Sequence, residues 1–149
     1  MKKKLILFLV FIGLTSCGYE SIYTKSKQSK YNTVNKIILD GEKRINRKII
    51  SILNFDNNKD SIYSVRIDSE KNNTIIAKDS AGNATIYNLQ IKIKFSILRN
   101  QKIIKTKNFE DNFNYNKSDN NFDLFQYQQN IEANLIQKIS EKIIIFLNS

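Results

Sequence analysis

The sequence predicts an α+β fold, a two-layer sandwich in which a mostly antiparallel four- to five-stranded sheet has two helices packed on one face. Three patterns predict it. Between residues 85 and 98, Tyr87, Leu89, Ile91, Ile93, Phe95 and Ile97 alternate with Asn88, Gln90, Lys92, Lys94 and Ser96, the period-two signature of a strand with one buried face. Near the C-terminus Ile131, Leu135, Ile139, Ile143 and Leu147 recur every fourth residue, widened by Ile136 and Phe146, which marks the core-facing stripe of a long helix. Within 42–54, Ile45, Ile49, Ile50 and Leu53 fall at helical spacing with Lys and Arg on the other side, which marks an earlier amphipathic helix.

The remaining elements follow in chain order. Residues 18–33 are polar and irregular, with Tyr19, Tyr23 and Tyr31 scattered through them, and read as a tether. Ile37-Ile38-Leu39 within 34–40 reads as a short buried strand that Asp40-Gly41 ends. After the first helix, Asp56 to Asp60 is a polar loop. Tyr63, Val65 and Ile67 alternate with Ser64 and Arg66 as a half-buried strand; Asn72-Asn73 is a turn signal and 74–77 the returning strand. Ala81-Gly82-Asn83 turns the chain into the long strand, and Arg99-Asn100-Gln101 turns it out again. Residues 102–115 form a second long strand with Phe109, Phe113 and Tyr115 on one parity; Asp111 interrupts that parity, which predicts a bulge or an edge position. Ser118 or Asp119 is placed to cap the last helix. With no internal repeat and no dividing linker, 34–149 is a single domain.

The N-terminus carries a targeting signal. Lys2, Lys3 and Lys4 precede the apolar run Leu5 to Ile12, which has signal-peptide length and is too short to span a bilayer. Leu14-Thr15-Ser16-Cys17 matches the bacterial lipobox, in which a cysteine thiol takes a diacylglyceryl group and small residues let the chain enter the peptidase. Residues 1–16 are therefore expected to be a signal peptide and 17–33 a tether lipidated on Cys17, the sole cysteine. Two or three acyl chains hold a protein stably at a membrane. In such lipoproteins an Asp after the cysteine favours the inner membrane; Gly18 favours the outer membrane, with the domain on the periplasmic side.

The chain has 24 basic and 14 acidic residues, a formal charge of +10. Removing the signal peptide takes three of those lysines and leaves +7. A basic surface suits nucleic acid, anionic lipid or sugar phosphates, and export puts nucleic acid last. Abundant Lys, Asn and Ile with no Pro is also the codon bias of an AT-rich genome, which accounts for part of the charge. The chain has no His and no thiol besides Cys17, which excludes His/Cys metal sites and Ser-His-Asp or Cys-His catalysis. No acid pair stands out for carboxylate catalysis, since Glu110 and Asp111 would point to opposite faces of a strand. Carboxylate-only catalysis, as in a periplasmic cell-wall hydrolase, stays formally open on composition; no enzymatic step and no cofactor is what the family resemblance below implies.

Cys17-Gly18-Tyr19 after a lipobox, the turn and strand entry Gly82-Asn83-Ala84-Thr85-Ile86-Tyr87-Asn88-Leu89, and a final helix with Glu132 and Leu135-Ile136 ahead of Lys138 together resemble the LPS-assembly lipoproteins, the LptE-like family. The resemblance spans nearly all of the chain after the signal peptide. It implies a non-enzymatic, lipid-anchored protein of the outer membrane that plugs and helps assemble an LptD-like LPS-transport β-barrel and binds lipopolysaccharide on its way to the cell surface. An alternative is an outer-membrane-anchored binding lipoprotein auxiliary to an ABC-type lipid transport system.

A phosphorylated glycolipid calls for exposed, converging Lys or Arg. If 74–78, 85–98 and 102–115 are successive antiparallel strands, the loops 78–84 and 116–119 lie at one end of the sheet, and Lys78 and Lys117 share that rim. The resemblance implies a lipopolysaccharide site in these two loops. Lys117 falls close to a family position, whereas Asp79 and Ser80 stand where relatives carry an aromatic and a basic residue. Lys92 and Lys94, on the polar face of the long strand, form a second candidate patch. A barrel lumen is typically polar, so the face that meets it need not be apolar.

Overall fold

The computed structural model describes residues 29–118 and 120–149. Cys17, the signal segment, most of the tether and Asp119 lie outside the described residues. The elements are β1 (Thr33–Val34), β2 (Lys36–Gly41), α1 (Lys43–Leu53), β3 (Asp56–Asn57), β4 (Tyr63–Lys78), β5 (Ala84–Arg99), β6 (Lys102–Asn116) and α2 (Asn121–Asn148). The main sheet has the order β2-β4-β5-β6; β4-β5 and β5-β6 are antiparallel and β2-β4 is parallel. β1 and β3 form a separate two-residue parallel pair. Both helices pack on one sheet face. The predicted fold class is the one observed.

The alternation in β5 gives the core. Leu89, Ile91, Ile93, Phe95 and Ile97 are buried, as is the whole α2 stripe Ile131, Leu135, Ile139, Ile143 and Leu147. Each fully buried Ile or Leu contributes on the order of 2 kcal/mol of transfer free energy. α1 adds Ile45, Ile49 and Leu53, and Phe146 of α2 meets Phe95 and Phe109 edge-on. Glu132 of α2, with only 8% of its side chain exposed, receives Arg44 Nε of α1 at 3.4 Å and Lys71 Nζ of β4 at 3.0 Å, so one carboxylate ties both helices to the sheet. At the other end of α2, Lys105 Nζ donates to the Phe146 carbonyl at 2.8 Å and sits 4.3 Å from the Phe146 ring centroid. A cation there satisfies a terminal carbonyl and opposes the negative end of the helix dipole.

Three local expectations are corrected, and the alternative left open at Asp111 is settled as an edge position. The Ile37-Ile38-Leu39 segment is the sheet's edge strand: it pairs with β4 alone, its isoleucines are half-buried and Leu39 is 41% exposed. Asn72-Asn73 is no turn. β4 runs straight through it, with Asn72 opposite Gln90 and Asn73 opposite Leu89, and Asn73 Nδ2 donates to Tyr115 Oη at 2.7 Å. A long antiparallel partner overrides local turn propensity. Asp111 pairs in register with Ile91, so there is no bulge at that residue; the irregularity in β6 is at Ile104, between the pairs Leu98–Ile103 and Ile97–Lys105. The edge position of β6 is as expected, and Asp111 accepts from Lys142 Nζ of α2 at 3.2 Å. The cap of α2 is Asn120, whose Oδ1 accepts from the Phe122 and Asp123 amides at 3.0 and 3.4 Å.

Two glycines at positive φ test how tightly the chain is held. At Gly41 (φ +82°) a Cβ would collide with the carbonyl oxygen of Ser69 on β4. At Gly82 (φ +86°) a Cβ would meet nothing within 4 Å. Gly82→Ala is therefore expected to cost only the left-handed backbone penalty, about 1–2 kcal/mol. Gly41→Ala adds a steric clash and is expected to cost at least about 2 kcal/mol more. Urea unfolding of the two variants checks this, and equal losses would contradict the packing at the β2 terminus.

Candidate functional site

The sheet has two ends that differ in chemistry. The chain enters at the near end. There Ser29 Oγ donates to the Leu147 carbonyl at 2.7 Å, Tyr31 packs edge-on against Tyr63, and Asn100-Gln101 links β5 to β6 with φ of +48° and +66°. The far rim holds the β4-β5 turn and the chain leaving β6.

At the far rim Lys78 pairs with Ala84, Ile86 pairs with Asn116, and the Lys117 amide donates to the Thr85 carbonyl at 2.9 Å. Lys78 and Lys117 are both exposed and lie at the same end, as the topology argument required. They sit on either side of β5, so their backbones are about 10 Å apart, two strand spacings. The turn between them is built on Asp79. Its Oδ1 accepts from the Ala81 and Asn83 amides at 2.9 and 2.8 Å, and its Oδ2 accepts from Asn83 Nδ2 at 3.1 Å. Donation from the Asn83 side chain, then from its backbone, holds the Asp79 carboxyl below its ordinary value of 3.8.

The same end carries an apolar shelf that the sequence patterns did not single out. Tyr87 stacks on Tyr115 at 5.5 Å, and Tyr127 of α2 meets Tyr115 edge-on at 6.3 Å. Tyr115 Oη accepts from both Asn73 Nδ2 and Gln128 Nε2, at 2.7 and 2.9 Å, which fixes the ring. Ile75 (paired with Tyr87), Phe113 (two residues before Tyr115), and Phe122 and Phe125 in the first turns of α2 are 50%, 42%, 66% and 56% exposed. Phe122 and Phe125 begin α2 before its buried stripe starts at Ile131. The signal for them was present: two aromatics on a helix, off the stripe that explains its burial.

Lys92 and Lys94 stand elsewhere, mid-sheet on the face away from the helices. Lys92 is flanked by Glu70 of β4 and Glu110 of β6, and Lys94 by Asp68 and Asn108. Asp40 of β2 continues the row beside Asp68. Opposite charges in directly paired positions stabilise a sheet modestly, and this band has more carboxylates than lysines. Its arrangement is that of a charge-balanced ladder, and it offers no surplus charge to a phosphate. Glu110 points outward into this ladder while Asp111 turns to α2, on opposite faces as the strand period requires. Among the described residues no group of three His, Cys, Asp or Glu side chains could hold a metal ion, and no helix is long and apolar enough to cross a membrane.

No protein-family model matches the sequence, and no curated protein does. Solved structures match the fold. A minor lipoprotein from Acinetobacter baumannii superposes with a TM-score of 0.64 at 12% identity, over 79% of this chain and 91% of that one. A lipoprotein B from Nitrosomonas europaea gives 0.58 at 9% identity, over 84% and 92%. The rare lipoprotein B from Shewanella oneidensis gives 0.50 at 14% identity, over 77% and 100%. The class defined here is thus an α+β sandwich of the kind seen in these bacterial lipoproteins. At such identities the likeness is one of fold.

The Asp79 turn yields a pH dependence. A carboxyl depressed in the folded state contributes stability that is present in full above its ordinary value near 3.8 and is lost as pH falls through its lower folded value. The Ala81 and Asn83 amides should keep their hydrogen-bonded chemical shifts at neutral and mildly acidic pH and lose them only below the ordinary carboxylate range. Asp79→Ala should abolish those shifts at every pH. NMR titration of the full chain checks both, and amide shifts that titrate above pH 4.5, roughly, would contradict the turn network.

Proposed function

We propose that this chain is a non-enzymatic, lipid-anchored outer-membrane lipoprotein that plugs and helps assemble the LPS-transport β-barrel, and that it binds lipopolysaccharide at the far rim. The observation that carries this reading is that Lys78 and Lys117 lie at the same end of the sheet as exposed aromatic and aliphatic side chains. A phosphorylated glycolipid presents anionic groups beside acyl chains, and this rim offers cations beside apolar surface. Supporting it are the lipobox at Cys17, the Cys17-Gly18-Tyr19 opening and a fold like that of rare lipoprotein B. The long polar face away from the helices suits the polar lumen of a barrel.

Two outcomes are expected. The chain, solubilised from membranes in mild detergent, should elute with a large β-barrel; elution alone would favour a free-standing binding lipoprotein. Lys78→Glu with Lys117→Glu should weaken binding of purified protein to lipopolysaccharide by about tenfold or more while leaving the unfolding midpoint within error, since each charge-assisted hydrogen bond contributes roughly 1.5–3 kcal/mol. Unchanged affinity of the double variant would sink the rim as the site.

A further inference from the structure

On the face away from the helices, at the near end, a depression of about 560 Å³ opens between β2, β4 and the loop before β4. Its volume falls in the range of small-ligand sites. Three cations line it: Lys36 from β2, Arg66 from β4 and Lys59 from the 58–62 loop. The parallel register sets the first two diagonally across the β2-β4 pair, since Lys36 pairs with Ser64 and Ile38 with Arg66. No carboxylate lines the depression. Asp40 and Asp68 lie one step further along the strands, and Asp60 follows Lys59 in the loop without contributing to the wall. Among the described residues none of the three cations forms an ion pair.

The floor is Ile38, half-buried, and Leu98, buried. Polar donors complete one wall. Ser64 Oγ donates to Asn35 Oδ1 at 2.8 Å, which leaves the Asn35 amide Nδ2 free to donate to a ligand. The contrast with the rest of this face is sharp. Mid-sheet, Lys92 and Lys94 are balanced by carboxylates in register; beyond them comes a patch of asparagines, with Asn88 bonded to Asn112 and Asn114. Three cations thus line this depression with no carboxylate in its wall, whereas carboxylates line the depression around Lys92 and Lys94.

We infer that this depression is an anion site for a phosphate group, held by Lys36, Lys59 and Arg66 over the Ile38–Leu98 floor. Arg supplies a planar fork for two phosphate oxygens, and the lysines act as point charges around it. The site is separate from the far rim, at the other end of the sheet, and does not rest on the reading of lipopolysaccharide binding or of a barrel partner. It lies at the end where the chain enters at Ser29, so a phosphate from a lipid headgroup or a free phosphate would meet the same chemistry.

The test uses the full chain in phosphatidylcholine nanodiscs, with methyl-labelled Ile and Leu. Adding inorganic pyrophosphate should shift the Ile38 and Leu98 methyl signals saturably, and added salt should weaken the effect. Replacing half of the lipid by phosphatidylglycerol should shift the same signals without pyrophosphate if the source is a headgroup; shifts from pyrophosphate alone identify a free phosphate. Lys36→Gln with Arg66→Gln should weaken whichever response occurs by about tenfold or more, whereas Lys92→Gln with Lys94→Gln should leave it unchanged. The spectrum of core methyls such as Ile139 reports that each variant is folded. Equal responses in wild type and the Lys36/Arg66 variant, or no shift at Ile38 and Leu98 with either probe, would overturn the inference. Neither arm contains lipopolysaccharide or a barrel, so the result is separable from the fate of the proposed function.

Discussion

The packing of alternate residues of β5 against the stripe of α2 is the contact on which the rest of the molecule depends. β5 is hydrogen-bonded along its length to β4 on one side and to β6 on the other, so its backbone groups are satisfied within the sheet. Its inward side chains must then be kept from water by something lying across the sheet, and a 28-residue helix whose apolar stripe packs on β5 and β6 does so. Everything else is attached to that layer. Glu132 reaches from α2 to Arg44 and Lys71 and so positions α1, while Lys105 closes the last turn of α2 over Phe146. β2 is added last, on an edge, through a parallel register that ends where Gly41 passes under Ser69.

How much of this was legible in the sequence follows from how local each signal is. The alternation of 85–98 and the four-residue recurrence of 131–147 are properties of a single segment, and both elements form as read. The Asn72-Asn73 signal is also local, but the partner strand lies elsewhere in the chain, and fifteen or so cross-strand pairs outweigh one turn propensity. The same blindness to partners made Ile37-Ile38-Leu39 look interior. An apolar run does not reveal how many neighbours it will have. Asn120 caps α2 where Ser118 and Asp119 looked equally able, because caps are decided by a residue's backbone angle as much as by its side chain.

The candidate ligand positions divide in the same way. That Lys78 and Lys117 share an end could be deduced from strand count alone. That Lys92 and Lys94 face carboxylates could not, because it depends on register with Glu70, Glu110 and Asp68, and register is a relation between segments. The cluster of Lys36, Lys59 and Arg66 is invisible in sequence for the same reason: its members come from an edge strand, a loop and the next strand of a parallel pair. A net charge of +10 therefore says little until it is mapped. The part of it that lies on this sheet includes three cations around a depression, a compensated middle and two lysines at the far rim.

The distance between those ends has a mechanical consequence. β5 has 16 residues, so roughly 50 Å separates the end where the chain enters from the rim with Lys78 and Lys117. The described chain begins at Ser29, beside the last turn of α2, and so the whole sheet extends from its entry point as a lever arm. A small angular change at the entry point is multiplied along that arm into a large displacement of the rim. Attachment through the N-terminus alone would leave the rim's position undetermined, and accuracy there has to come from surfaces that grip the arm along its length.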